Sequence, residues 1–286
     1  MRNNILISGT PRSGTTLTCH LLNKLPNTVA LHEPMRVKNF ARLKDHAEIG
    51  QAIERFCDEQ RESIRTRKRA ISKNAEGAVP DNPYGADLTN TGLRQSVVSR
   101  GEIVVDKELS QDFALVVKHI SAFTAVLGEL VKRFPVYVVI RNPLATLSSW
   151  GSIDFNLQRG HIPAAERLDP ELEAKLATIE NALERQIYLL DWFHGHFRRH
   201  LPEECIIRYE SVVESGGRAL SVVRPEAKNL SELLESRNKS KLYDRQRILL
   251  IGERLLKSEG AYWESYSKDS VERLLDSYES NTGLGQ

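Results

Sequence analysis

The segment that most constrains this chain is its first one. Asn4-Ile5-Leu6-Ile7-Ser8 is a short apolar run that enters Gly9-Thr10-Pro11-Arg12-Ser13-Gly14 directly, and Thr15 opens a stretch with Leu17, Leu21, Leu22 and Leu25 at helical spacing before Pro26-Asn27 ends it. A buried strand, a tight glycine turn and a helix in that order belong to a sheet whose strands are joined by helical crossovers. The same punctuation recurs downstream. Val29-Ala30-Leu31, Ala114-Leu115-Val116-Val117, Val136-Tyr137-Val138-Val139-Ile140 and Ile206-Ile207 read as strands, and helical periodicity lies between them at residues 123–134, 144–150 and 170–200. The expected fold is α/β, a doubly wound, mostly parallel sheet flanked by helices.

The 286 residues allow one large domain, and residues 1–286 read as one, with inserts at about 36–101 and 152–169. Residues 36–70 are charged and mostly helical in character. Residues 73–101 are rich in Asn, Gly, Pro and Asp and read as a long loop. Ile103-Val104-Val105 is a further strand candidate. A net charge of +2 is too mild to suggest a nucleic-acid partner. Cys19, Cys57 and Cys205 are odd in number and lack metal-ligand spacing, which fits free thiols. With no basic leader followed by an apolar run, and no apolar stretch of membrane-spanning length, a cytoplasmic location is the expectation.

The glycine turn has the makings of a phosphate cradle. Glycines let backbone N–H groups converge, and the helix start adds partial positive charge. A nucleoside-triphosphate loop carries a lysine where this chain has Thr15, and an acidic magnesium ligand is expected on a neighbouring strand. The strand ending at Ile140 is followed by Arg141 instead. An arginine there repels a metal and attracts an anion. The pattern implies a phosphate-rich ligand held by Arg12 and Arg141 without an obligatory metal.

Pro11-Arg12-Ser13-Gly14-Thr15-Thr16 resembles the 5′-phosphosulfate loop of sulfotransferases. Arg141-Asn142-Pro143, with Ser149 eight residues after Arg141, resembles their 3′-phosphate element. The likeness is greatest to the branch that includes carbohydrate and tyrosyl-protein enzymes, and it covers residues 5–33 and 115–150 well and 206–210 loosely. It implies the P-loop-like sulfotransferase fold with helical inserts, and 3′-phosphoadenosine 5′-phosphosulfate (PAPS) as donor without a required metal. Arg12 would meet the 5′-phosphate and bridging oxygen. Pro11, Ser13, Gly14, Thr15 and Thr16 would form the cradle, and Arg141 and Ser149 would clamp the 3′-phosphate, the arginine fork matching two phosphate oxygens. Tyr209, in Arg208-Tyr209-Glu210, matches a tyrosine near the nucleotide; packing is its other reading.

A hydroxyl acceptor needs a proton acceptor. The resemblance offers two. Glu33, in His32-Glu33-Pro34, has the spacing of the catalytic glutamate in tyrosyl-protein enzymes. His119 precedes Arg141 by 22 residues, close to the spacing of the catalytic histidine in the cytosolic small-molecule branch. Glu33 is favoured because the loop is of the glutamate-using type. Lys118 could support the sulfuryl oxygens, and His32 reads as structural. Lys239, Lys241 and Arg245 could reach the 3′-phosphate or form a solvated face. The acceptor is expected to be a hydroxyl or amine of a small molecule, glycan or lipid-linked sugar, chosen by the inserts. Arg61, Arg65, Arg67, Lys68 and Arg69 form a basic cluster that is either a solvated face or a sign of an anionic acceptor. A P-loop kinase of a small molecule and a non-catalytic nucleotide-binding module remain the alternatives.

Overall fold

The computed structural model describes residues 3–279 except positions 91 and 241; of the basic residues named above, Lys241 therefore lies outside the described residues. In chain order the elements are β1 (Asn4–Gly9), α1 (Thr15–Leu22), β2 (Thr28–His32), α2 (His46–Arg67), β3 (Arg69–Asn74), β4 (Tyr84–Leu88), β5 (Arg94–Ser96), β6 (Ser99–Val104), β7 (Ala114–Lys118), α3 (Ser121–Ala125), α4 (Leu127–Leu130) and β8 (Val136–Ile140). They continue with α5 (Pro143–Trp150), α6 (Pro163–Glu166), α7 (Pro170–Ala177), α8 (Ala182–His200), β9 (Ile206–Arg208), α9 (Tyr209–Glu214), α10 (Arg245–Leu256) and α11 (Lys268–Glu279).

The central sheet has five strands in the order β2-β7-β1-β8-β9, all parallel. The pleat of β1 explains why it is buried throughout and apolar at Ile5, Leu6 and Ile7. Ile5 and Ile7 point into one core with α1 and α9, whereas Leu6 points into the other with α2, α3, α5, α8 and α10. A parallel strand covered on both faces must be buried on both. Each fully buried Leu or Ile contributes about 1.5–3 kcal/mol relative to exposure. The α/β doubly wound expectation holds.

The strand order reverses at β1. The chain leaves it toward β2, returns to β7 on the near side, then crosses to β8 on the other. The carboxyl ends of β1, β7 and β8 therefore open a crevice at the switch point, where open α/β sheets bind ligands. Gly9 closes the floor of that crevice. A Cβ at Gly9 would lie 2.2 Å from the Val139 carbonyl oxygen and 2.8 Å from Thr15 Cγ2, at φ +149. Gly9→Ala is expected to lower the thermal midpoint by on the order of 5 °C, from overpacking against rigid backbone. A calorimetric scan in which the variant melts with the parent would contradict this contact.

The long-loop reading of residues 73–101 is corrected. β3 pairs antiparallel with β6, and β4 pairs with the short β5, so the first insert holds two ribbons beside α2. The Ile103-Val104-Val105 candidate falls on this outer ribbon, not in the central sheet. Its signals were masked because both ribbons are half exposed and rich in turn residues, so neither shows a buried apolar run. Residues 170–200 form the pair α7 and α8, broken after Ala177, and residues 123–134 hold parts of two short helices, α3 and α4. Arg61 is not on a solvated face. It is buried, and its guanidinium donates to Asn4 Oδ1 at 2.7 Å, the Phe113 carbonyl at 2.9 Å and the Asn3 carbonyl at 2.6 Å, tying α2 to the edge of the sheet.

Candidate functional site

The residues singled out from the sequence gather at the carboxyl ends of the five strands: Arg12 after β1, Glu33 after β2, His119 after β7, Arg141 after β8 and Tyr209 after β9. Two neighbouring constellations result, one built of arginines and one of Glu33 with lysines and histidines.

The first surrounds the glycine turn. The Thr10 amide donates to the Val139 carbonyl at 3.1 Å, the Ser13 amide to the Thr10 carbonyl at 3.2 Å, and Ser13 Oγ to the Val139 carbonyl at 2.6 Å. Both donors of Ser13 are thus spent in fixing the turn. Trp150 Nε1 donates to the Pro11 carbonyl at 2.8 Å, docking α5 on the loop. Gly14 is the left-handed N-cap of α1, and a Cβ there would lie 2.6 Å from Tyr209 Cδ2. Thr15 and Thr16 begin α1, whose first amides have no acceptor within the helix. With the helix dipole they concentrate positive potential at this point.

Arg12 has φ +67, a strained value for a residue with a side chain. Its Nε donates to Ser149 Oγ at 3.2 Å and its Nη1 to Asn82 Oδ1 at 3.3 Å, and its guanidinium lies over the Tyr84 ring at 4.5 Å. Burial, with help from Arg94 and Arg141, lowers its pKa to about 10. Arg141 is buried and stacks on Tyr209 at 4.9 Å. It donates to the Arg12 carbonyl at 3.0 Å, to Asn238 Oδ1 at 2.7 Å and to the Tyr243 hydroxyl at 3.4 Å. Tyr209 in turn accepts from the Arg237 amide at 2.9 Å. Among the described residues, neither Arg12 nor Arg141 pairs with a carboxylate.

Arg94 is the residue that sequence reasoning missed. It comes from β5, is buried, and donates to Ser152 Oγ at 2.9 Å, while its Nε has no partner. Burial pushes its pKa down, and the charges of Arg141 and Arg237 push the same way. Its signal lay only in a segment read as loop. Lys239 and Arg245 are exposed.

The second constellation centres on Glu33. Its backbone is left-handed at φ +42, and its amide donates to the Lys118 carbonyl at 2.8 Å. One carboxylate oxygen accepts from Lys118 Nζ at 2.8 Å, the other from Lys73 Nζ at 2.6 Å. Burial alone would raise its pKa, but Lys118 and Lys73 hold it well below the usual carboxylate range. Lys118 is itself only 1% exposed, and burial pushes its pKa down against the pull of Glu33. His119 Nε2 accepts the Met35 amide at 3.0 Å, so the ring proton belongs on Nδ1. His32 lies behind, with Nδ1 at 3.4 Å from Lys118 Nζ.

Three buried histidines give the protein a predictable acid response. Burial lowers the pKa of His32 to about 2 and of His119 and His194 to about 3. The unfolded value is about 6.5. Below that value the unfolded chain binds more protons, so stability is lost as pH falls from about 6.5 toward the folded values, by about 1.4 kcal/mol per pH unit for each histidine. The depressed Glu33 pKa adds a loss of the same sign at the acid end. Thermal midpoints between pH 7.5 and 4.5 should fall steeply below pH 6. A flat profile would mean that these rings are protonated in the fold.

Among the described residues there is no cluster of three or more His, Cys, Asp or Glu able to hold a metal, and no helix is long and apolar enough to cross a membrane. No protein-family model matches the chain, and no curated protein matches it. Among solved structures it is similar to the sulfotransferase domain of the Synechococcus PCC 7002 olefin synthase, at 11% identity and TM-score 0.40, covering 100% of this chain and 90% of that one. It is also similar to the sulfotransferase STF1 of Mycobacterium tuberculosis H37Rv, at 13% identity and TM-score 0.33, covering 89% and 76%. Likeness of this degree carries no weight for substrates or residue roles, which rest on the geometry of the chain itself.

Proposed function

We propose that this protein is a sulfotransferase that takes the sulfuryl group from PAPS and passes it to an acceptor hydroxyl. The observation that carries the reading is the convergence of Arg12, Arg94 and Arg141 at the switch point without a carboxylate partner among the described residues. Burying unpaired cations is costly. Two buried arginines and the half-buried Arg12 beside a helix N-terminus are best explained by a ligand with more than one anionic group. Thr15 in place of a lysine, and Arg141 where a magnesium ligand would stand, favour a phosphosulfate over a nucleoside triphosphate.

In this reading Arg12 and the start of α1 bind the 5′-phosphate and take up the charge that grows on it as the sulfur–oxygen bond breaks. Arg141, Ser149 and Tyr209 hold the 3′-phosphate side, with Arg94 as a third cation. The acceptor oxygen bonds to sulfur, its proton passes to the Glu33 carboxylate, and the products are a sulfate ester and 3′-phosphoadenosine 5′-phosphate (PAP). The low basicity of Glu33 suits a late transfer, because a hydroxyl becomes acidic once its oxygen is bonded to sulfur. Lys118, beside Glu33, is positioned to meet the transferred oxygens. The occupied Nε2 of His119 supports a positioning role, holding the chain after Glu33 through Met35.

The test is thermal stabilisation by PAP against ATP–magnesium, each with and without chelator. A chelator-independent shift with PAP and none with ATP–magnesium is expected. A shift with ATP–magnesium alone would overturn the reading in favour of a kinase.

A further inference from the structure

Beyond Glu33 the chain lines a cavity of about 530 Å³, within the range of about 300–1,000 Å³ typical of small-molecule sites. It begins at Pro34 and Met35, and Met35 is the residue whose amide is held by His119. Its walls are mainly apolar, with Met35, Phe40, Leu43, Phe56 and Ile71 from the chain after β2, from α2 and from β3. Ile71 and Lys73 share a face of β3, so the ribbon that supplies a wall of the cavity also supplies the lysine on Glu33.

The polar groups of the cavity are not evenly spread. Arg36 and Arg100 both belong to its end nearest Glu33. Arg36 is three residues past Glu33, and Arg100 sits opposite Lys73 in the β3–β6 register. Neither arginine has a carboxylate partner among the described residues. Glu59, exposed on α2, is the acidic group of the lining. Gln60 Oε1 already accepts the Ile71 amide at 2.7 Å, which leaves its Nε2 as the group it offers. Asn39 is the remaining polar residue of the lining, so a bare sugar could bond to the polar groups but would leave the apolar walls uncovered. An apolar tail would be covered, and an anionic head would find two guanidinium groups.

We infer that the acceptor is an anionic amphiphile: an apolar tail fills this cavity, and a polar end carries both an acid group, met by Arg36 and Arg100, and the hydroxyl presented to Glu33. This rests on the sulfotransferase reading for the reaction, though not for the binding. It narrows the acceptor away from a free glycan.

The test is calorimetric titration of the whole chain, with and without saturating PAP, using α-hydroxydecanoate, the matching neutral diol, lactate and glucose. α-Hydroxydecanoate should bind at least about 100-fold more tightly than lactate, since each buried methylene contributes about fourfold and burial of three or four of its seven extra methylenes is enough. It should bind about tenfold more tightly than the diol, the worth of a charge-assisted contact. Ala52→Trp, which fills the cavity from α2, should remove the gain from the tail. Arg36→Gln with Arg100→Gln should level acid and diol, and both variants should keep the parent's thermal shift with PAP. Equal binding of lactate and α-hydroxydecanoate, tighter binding of glucose, or an undiminished acid preference in the double variant would overturn the inference. A shift with PAP and no amphiphile binding defeats the cavity inference alone. Amphiphile binding with no PAP shift defeats the donor reading and leaves the cavity assignment standing.

Discussion

Arg12→Ala is expected to lower turnover by roughly 10²–10³-fold, the loss typical of removing one preorganised donor to developing charge. The fold should not suffer for it. This guanidinium is half-buried beside Arg94 and Arg141, and desolvation, with the charges of those two arginines, pulls its pKa down to about 10. Removing it relieves that repulsion, so the thermal midpoint without ligand should hold or rise. The sign separates a functional cation from a structural one. Arg12→Lys should rescue little, because a point charge does not reproduce a planar fork and loses the stacking on Tyr84. Single-turnover assays and melting curves on the two variants read both effects. A variant that melts several degrees lower yet turns over like the parent would assign Arg12 to the scaffold.

Glu33→Gln is the second large effect, with a loss of about 10²–10⁴-fold in turnover expected for a general base. It carries a stability cost that Arg12→Ala does not. Lys118 is almost fully buried and depends on this carboxylate, and removing one member of such a pair costs about 3–5 kcal/mol. Activity must therefore be compared well below the melting range, with PAP binding as the control for the donor half of the site. His119→Ala should be the milder change: it frees the Met35 amide and loosens the acceptor wall, raising KM more than it lowers kcat. If Glu33→Gln keeps most activity and His119→Ala does not, the two residues exchange roles.

The parts of this architecture that could be read from the chain are those with strong local signals. The apolar run into Gly9, the β-branched stretch at Val136 to Ile140, and the arginine after it each announce themselves within a few residues. Because parallel strands all present their carboxyl ends to one edge, reading the strands was enough to bring Arg12, Glu33, His119 and Arg141 together. What escaped was set by pairing rather than by local pattern. β5 is three residues long, and nothing near Arg94 marks it as buried; the hydrogen bonds to Ser152 and the packing of the ribbons do that. Likewise Lys73, met only as the start of a loop, reaches Glu33 through a ribbon with its partner strand 26 residues on. The exposure of Arg61 could not be judged either, since its three acceptors lie in the first strand region and at Phe113.

The contact of Tyr209 with Gly14 has a consequence for the order in which this molecule is made. The glycine turn lies within the first fourteen residues, yet its ceiling is an aromatic ring after the last strand, and Arg141 is oriented by Asn238 and Tyr243. Synthesis from the amino terminus therefore produces the cradle long before the groups that shape it. A chain still held at residue 200 has four of the five central strands but neither Tyr209 nor Tyr243. Contacts this distant in sequence close late, since loop entropy must be met before they form. Capacity to hold the nucleotide should therefore arrive as one of the final events of folding, and a nascent or carboxyl-truncated chain should be blind to PAP.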